Sequence, residues 1–590
     1  MLETTIDDDI SSGFLLIIYR RSALPIFLAI VLTAQCYPVF AQYIPDAGSV
    51  SRDFERGGKV LELPRTPAVP VIKDQAVTAT SAADGPRFQV NGFKISGVTA
   101  FSDAELLALL SDLSGKVVSL ADLQQALEQL SQHYRQHGYI VARAFLPAQD
   151  IQDGIVAISM LEGTVGEIAI RPSGELRLSR AVIEKTMRKA LPAAAVIRAE
   201  PIERGLLLMY DLYSIEAQST LSPGNQVGTS TLTLDVSEKP LLSGSIEADN
   251  FGNPYSGKYH LGGTVNVNNP SGIGDRLSLR AAEALDTRNV RLSYQVPVGF
   301  SGLKAGVAYS ATQYELCCEF AALNANGRAR ELLANVGYPF VRTRDFNLFG
   351  SISLASQRFF NSAAGTPTSD SKLDSTTLAL YGNSRDTFGG GGITEFSVSI
   401  SDGELNLDRL AADHAQDANT AKTQGRYQKS NYALARQQRL GKDLSITGSL
   451  SGQIASKNLN SAEKFVLGGH NGVRAYPTGE AAGDEGWLIS LALNYQWHPN
   501  LSMSGFVDHG EVMVHKNLWP GANAGSPLAK NRYSLSGVGV GLSWQQPGNY
   551  LLSGTLAFPI GDNPGRDIGG NDSDGKHSNS RIWLQAVKQF

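Results

Sequence analysis

Few residues in this chain have the type and setting to do chemistry, and they are widely spaced. Arg474 stands alone in the glycine-rich run GGHNGVRAYPTGEAAGDEGW, and Asp508 stands in LSMSGFVDHGEV. A guanidinium presents a planar fork of donors and a carboxylate accepts two of them, so each is suited to anchoring a segment away from water. Read singly, from spacing alone, Arg474 is better taken as a solvated loop charge and Asp508 as a polar lumen residue. Gly389–Gly392 falls at an expected turn, which argues against a phosphate cradle. In NDSDGK the first ligand position of a calcium loop would be Gly570, so a solvated acidic loop is expected instead. Cys317 and Cys318 are adjacent, and neighbouring Cα atoms about 3.8 Å apart sit closer than the usual disulfide range, so two free or reversibly paired thiols are expected. They do not form a spaced zinc set. There is no triad motif, metalloprotease helix motif or nucleotide-binding loop, so no enzyme activity, cofactor or metal is expected.

The elements that must position these residues change character along the chain. YRRSALPIFLAIVLTAQCYPVFA has two arginines, a short apolar stretch and a small-residue end, which predicts a signal peptide over 1–41, cleaved after Ala41 and removing Cys36. Downstream there is no run of 18 apolar residues, so a helical membrane span is not expected. A net charge of -5 over 590 residues gives no general attraction to nucleic acid. Residues 42–85 hold a short helix, DAGSVSRDFER, capped by Asp46, and then LPRTPAVPV, whose prolines make a tether. Over 86–163 the order is strand, helix, helix, strand, strand. Ser102 and Glu105 have capping-box spacing, Leu120, Leu123, Leu127, Leu130 and Tyr134 share one helical face, and Gly138 ends that helix. ARAFLPAQ and GIVAISMLEG supply the last two strands. Residues 164–240 repeat the order. The open edges of such units can take an extended peptide by strand addition.

From 241 to 590 the chain is mainly β. Sixteen period-2 segments start near residues 241, 258, 275, 288, 303, 327, 344, 373, 391, 425, 444, 486, 501, 531, 549 and 580. In GWLISLALNYQWHP the large apolar residues Trp487, Ile489, Leu491, Leu493, Tyr495 and Trp497 share one face with aromatics at both ends, as a lipid-facing strand requires. Even-numbered connections are mostly tight. Of the odd ones the first two are short and the last six, near 317, 361, 408, 457, 516 and 562, are long, which is the outer-membrane pattern. A 16-stranded antiparallel transmembrane barrel is therefore expected. Asp508 shares a face with Ser502, Ser504, Phe506 and Gly510 and should point into the lumen, while His509 points outward as an interfacial side chain. Lys588 is unexpected on the face of the final strand that ends at Phe590.

Several stretches carry a resemblance. Gly138-Tyr139-Ile140, followed by Ala144-Phe145-Leu146-Pro147-Ala148-Gln149 and Asp153-Gly154, resembles the first polypeptide-transport-associated (POTRA) domain of two-partner secretion transporters. The tethered helix is similar to that family's plug helix. Val473-Arg474-Ala475-Tyr476 resembles the VRGY/F motif of its sixth loop, with alanine for the usual glycine, and Phe506-Val507-Asp508-His509-Gly510 matches its F-x-D-x-G pattern. The resemblance implies a sixth loop folded back into the barrel and an Arg474–Asp508 salt bridge. It further implies an outer-membrane translocator in a Gram-negative envelope, with two POTRA domains (86–163 and 164–240) in the periplasm and a barrel (241–590). Its implied partners are a secreted exoprotein (an adhesin, hemolysin or toxin), outer-membrane lipids, periplasmic chaperones, and barrel-assembly machinery that would read the terminal Phe590. The competing readings are an insertase for other barrels, which would normally carry more periplasmic repeats, a passive porin or receptor, and a surface adhesin.

Overall fold

The computed structural model describes residues 44–57, 71–72, 87–285, 287–522 and 530–590. The expected signal peptide and most of the proline-rich tether lie outside the described residues. Sixteen antiparallel strands, each bonded to its neighbours in chain order, close into a barrel from Leu242 to Gln589. Their starts agree with the alternation to within two residues, apart from the eighth, which begins at Thr366. The face carrying Ile489, Leu491, Leu493, Tyr495 and Trp497 is exposed on the outside of the wall, as a lipid-facing band must be. Lys588 also lies on the outer face, where its ammonium sits over the Tyr550 ring at 3.9 Å and bonds Asn549 at the adjacent turn. Its charge thus reaches the membrane edge while its stem stays on the wall.

Two of the odd connections differ from expectation. The one near 361 is a tight turn, because strands Phe346–Ala363 and Thr366–Asp386 continue pairing well past a membrane's thickness. Ala364 and Gly365 take φ of 49° and 77°, the two left-handed positions of a two-residue hairpin, with alanine where asparagine is usual. Conversely, the first connection, residues 250–259, is a loop that packs inward rather than a short turn.

The first soluble unit departs from its expected order in detail. FQVNGFKISGV divides into Arg87–Val90 and Gly92–Ser96, and an additional strand, Lys116–Ser119, lies between the helices and pairs with Arg87–Val90. The helix Leu120–Gln136 starts with a full capping box made by Ser119 and Asp122; Ser102 caps the short helix Asp103–Ala108 by accepting from the Glu105 N–H. Leu123, Ala126, Leu130 and Tyr134 are buried, while Leu120 is exposed in the first turn. ARAFLPAQ pairs only over Arg143–Phe145. The second unit has the order Thr164–Pro172, Arg180–Ala190, Ala199–Tyr210, Ile215–Pro223 and Thr229–Glu238. It meets the barrel's periplasmic turns through Asp211, which accepts from Nε and Nη2 of Arg342 at 2.9 Å each, and through Tyr213, which lies under Arg276 and Lys304 and donates to Gln295 at 2.6 Å.

The helix Ala47–Gly57 occupies part of the lumen. Asp46 accepts from the Ser49 N–H while Ser49 Oγ accepts from the Asp46 N–H, each at 2.9 Å, so the cap foreseen at Asp46 forms reciprocally. Ala47, Val50 and Phe54 recur at steps of three and four and are buried against Tyr314, Leu316, Leu373, Leu405, Tyr427 and Leu459.

Candidate functional site: loop six in the lumen

Residues 456–484 connect the eleventh barrel strand, Leu444–Ala455, to the twelfth, Glu485–His498, and fold back into the barrel. The fold-back is built from an apolar tip. Val473, Ala475 and Tyr476 are buried with Leu467, Phe506, Val512, Leu535 and Ala557. Alanine at 475 is accommodated because its backbone is not left-handed and because Gly537 opposite lacks a side chain; a Cβ there would stand 2.7 Å from that of Ala475. Gly510 does the same for the loop's base, since a Cβ would meet Leu467 Cδ1 at 2.4 Å.

On this apolar seat Arg474 meets Asp508. Nε donates to Oδ2 at 2.9 Å, Nη2 to Oδ1 at 2.6 Å, and the Arg474 backbone N–H to Oδ2 at 3.1 Å. Ser490 of the twelfth strand completes the set, donating to Asp508 Oδ1 at 2.7 Å and lying 2.9 Å from Nη2. The guanidinium carbon lies 3.4 Å from the Phe506 ring centroid, so one face of the cation rests on an aromatic π-cloud. Asp508 is completely buried and the Arg474 side chain is 20% exposed. A charge pair so placed is directional, and removing either member would leave the other unpaired in a low-dielectric setting. His509, on the outer face, contacts Ser536 and the edge of Trp487.

The POTRA-motif residues form a joint and an edge. Gly138 has φ 87° at the end of its helix, and its carbonyl accepts from Ala199 N–H of the second unit at 2.9 Å. Tyr139 packs on Phe101 and Tyr134, with the Arg198 guanidinium 5.5 Å over its ring. Gln149 stands in for a strand. Its amide accepts from Ala157 N–H and donates to Ala157 C=O, both at 2.7 Å, and also lies 3.4 Å from Pro147 C=O. Phe590 is exposed on the outer wall and pairs by its backbone with Gly244.

One expectation about the loops is corrected. Asp572 and Asp574 are buried, not solvated, and bind Arg566 and Arg581. The four carboxylate oxygens of the two residues face these two guanidiniums. Cys317 and Cys318 are in the paired one of their two expected states, joined to each other, with Cys318 in a left-handed turn (φ 63°). Sequence reasoning overlooked Ser490 and Trp583. Parity could have found both: Ser490 shares the inner face of its strand with Leu488, and Trp583 falls between the outward Ile582 and Leu584.

Comparison with known proteins agrees with this architecture. A POTRA domain of ShlB type matches residues 88–163. The chain is 29% identical over 562 residues to the heme/hemopexin transporter protein HuxB of Haemophilus influenzae (strain 86-028NP), covering 92% of this chain and 95% of that one. It is 25% identical over 510 residues to the outer membrane transporter CdiB of Dickeya dadantii, covering 82% and 88%. Among solved structures, CdiB from Escherichia coli shares the fold with a TM-score of 0.66 at 19% identity, covering 92% of this chain and 96% of that one. The model of the haemolysin secretion/activation proteins ShlB/FhaC/HecB matches residues 228–544, just over half the chain. The chain thus belongs to that family, the outer-membrane translocators of two-partner secretion.

Proposed function

We propose that this translocator rests with its pore filled by two segments of its own chain and exports a partner by vacating them. Residues 86–163 and 164–240 are the periplasmic modules that receive the unfolded exoprotein, residues 42–85 the plug helix and its tether, and residues 241–590 the conduit. The exoprotein is of the adhesin, hemolysin or toxin kind. Periplasmic chaperones deliver it unfolded, and barrel-assembly machinery inserts the translocator by reading Phe590. Capture proceeds by strand addition. The outer strand of the second module already takes an extended segment this way, pairing Thr220 and Leu221 in parallel with Val71 and Ile72 of the tether. Arg474 and Asp508 hold loop six in its resting place. With no nucleotide-binding loop in the sequence, we assign the outward bias to progressive folding of the cargo outside the cell.

The observation that carries this reading is that two segments of the chain lie inside the lumen and meet the wall through side-chain contacts rather than as strands of it. Deleting residues 86–240 tests it: export should be abolished while a folded barrel still inserts. Normal export by that deletion would overturn the reading.

A further inference from the structure

The barrel closes by pairing its first strand, Leu242–Asp249, with its last, Arg581–Gln589, and this is the shortest ladder in the wall: only Ser245–Asp249 faces Gln585–Gln589. Gly244 and Phe590 extend it at the periplasmic end, with N···O distances of 2.9 and 3.0 Å. At the other end the first strand stops. The upper part of the last strand is then met by Asn250, whose backbone N–H donates to Leu584 C=O at 3.2 Å and whose side chain donates to Ile582 C=O at 2.9 Å and accepts from Leu584 N–H at 2.8 Å.

Loop six reaches both sides of this seam. On the last strand, the Trp583 indole N–H donates to the Arg474 carbonyl at 2.7 Å. Just beyond the first strand, Phe251 C=O accepts from Thr478 Oγ1 at 2.6 Å, Asn253 Nδ2 donates to Thr478 C=O at 3.2 Å, and the Phe251 ring stacks on His470 with centroids 3.7 Å apart. The Trp583 ring lies roughly perpendicular to both, at 6.0 and 6.2 Å. Thus the residue whose side chain is gripped by Asp508 has its own carbonyl gripped by the closing strand.

We propose that loop six is the inner clasp of the barrel's closing seam, with Trp583 and Thr478 as positioning residues that couple its withdrawal to a loosening of the first strand against the last. This rests on the reading above that loop six moves. The consequence is that the pore's occupant and the wall's weakest junction yield together.

The test uses the full chain with Cys317 and Cys318 replaced by serine, reconstituted in planar lipid bilayers. Trp583→Phe keeps an aromatic ring and removes the donor, and Thr478→Val removes the hydroxyl on the other side. Each is measured with and without a seam lock, Ala248→Cys with Ala586→Cys, at positions that pair across the junction. Unlocked, each variant should raise the fraction of time the channel is open about fivefold, the size expected from losing one net hydrogen bond. With the lock oxidised the rise should vanish, and a dithiol reductant should restore it. No rise without the lock, or an equal rise with it, overturns the clasp. Heat-modifiable mobility reports folding, and if Trp583→Phe fails to fold, Thr478→Val alone decides. Arg474→Ala separates the two ideas: if it opens the channel while the other two do not, the loop moves without clasping the seam. If it too is without effect, the gating role of loop six falls as well.

Discussion

The two segments inside the barrel are held by different physics. The plug helix presents one narrow apolar stripe, Ala47, Val50 and Phe54, plus scattered polar contacts: Asn361 to the Ala47 N–H, Ser461 to Asp46, the buried Arg52 to the Ser461 carbonyl, Arg280 to the Phe54 carbonyl, and Arg291 3.8 Å from Glu55. Loop six is fastened by a fully buried carboxylate, a guanidinium on an aromatic face and its own apolar cluster. Burial of three side chains is reversible in small steps, whereas a desolvated ion pair is lost nearly all at once. On the proposed reading the helix is the element suited to leaving first, and loop six the one whose departure is a committed event.

That contrast can be broken in order of expected effect. Arg474→Ala strands the Asp508 carboxylate, a loss of about 3–5 kcal/mol. The barrel should still insert, but secretion should fall severely and the channel current should change; unchanged secretion at normal protein levels would remove loop six from the mechanism. Phe54→Ala empties the largest apolar anchor of the helix, whose burial contributes up to about 3 kcal/mol. It should raise resting current while leaving export close to normal, as assayed in bilayers and by secretion of a cognate exoprotein. A severe export defect from Phe54→Ala would make the helix, not the loop, the critical element.

Two smaller effects compare the pore with the soluble modules. Burial alone would raise the Glu162 carboxyl. The bonds it accepts from the Thr99 hydroxyl, the Thr99 and Ala100 N–H groups and Tyr134 outweigh that and hold it below the ordinary glutamate value. Its contribution is then fully present above the unfolded value of about 4.5 and is lost as pH falls through the lower folded value. Hydrogen exchange in residues 86–163 should accelerate on acidification through that range, and Glu162→Gln should flatten the response. Gln149→Ala frees the Ala157 rung at a cost of about 1 kcal/mol. It should raise exchange there and slightly alter cargo affinity, measured by titration with an unfolded exoprotein fragment.

Legibility follows how local the cause is. The wall was readable because a lipid-facing band forces alternation within one segment, as Trp487 to Trp497 shows, and a terminal cap such as Asp46 declares itself within three residues. The hairpin at Ala364-Gly365 was not readable, since alanine in a left-handed position gives no turn signal. Gln149 replacing a strand rung, and Asp572 and Asp574 pairing with Arg566 and Arg581, depend on partners that only the fold selects. The Arg474–Asp508 contact came from two resembling motifs in the expected order; the Trp583 bond to the Arg474 carbonyl has no motif, because it joins a side chain to a backbone atom 109 residues away.

The most direct measurement of a pore emptied by its own chain is a reversible tether on the helix. Asn361 on the wall strand Phe346–Ala363 accepts from the Ala47 N–H at 2.8 Å, so Ala47→Cys with Asn361→Cys, in a background with Cys317 and Cys318 changed to serine, places one thiol on the helix and one on the wall where the two touch. Oxidised, this protein should export nothing and show no openings, and reduction should restore both. Export at an undiminished rate with the tether closed would contradict the account.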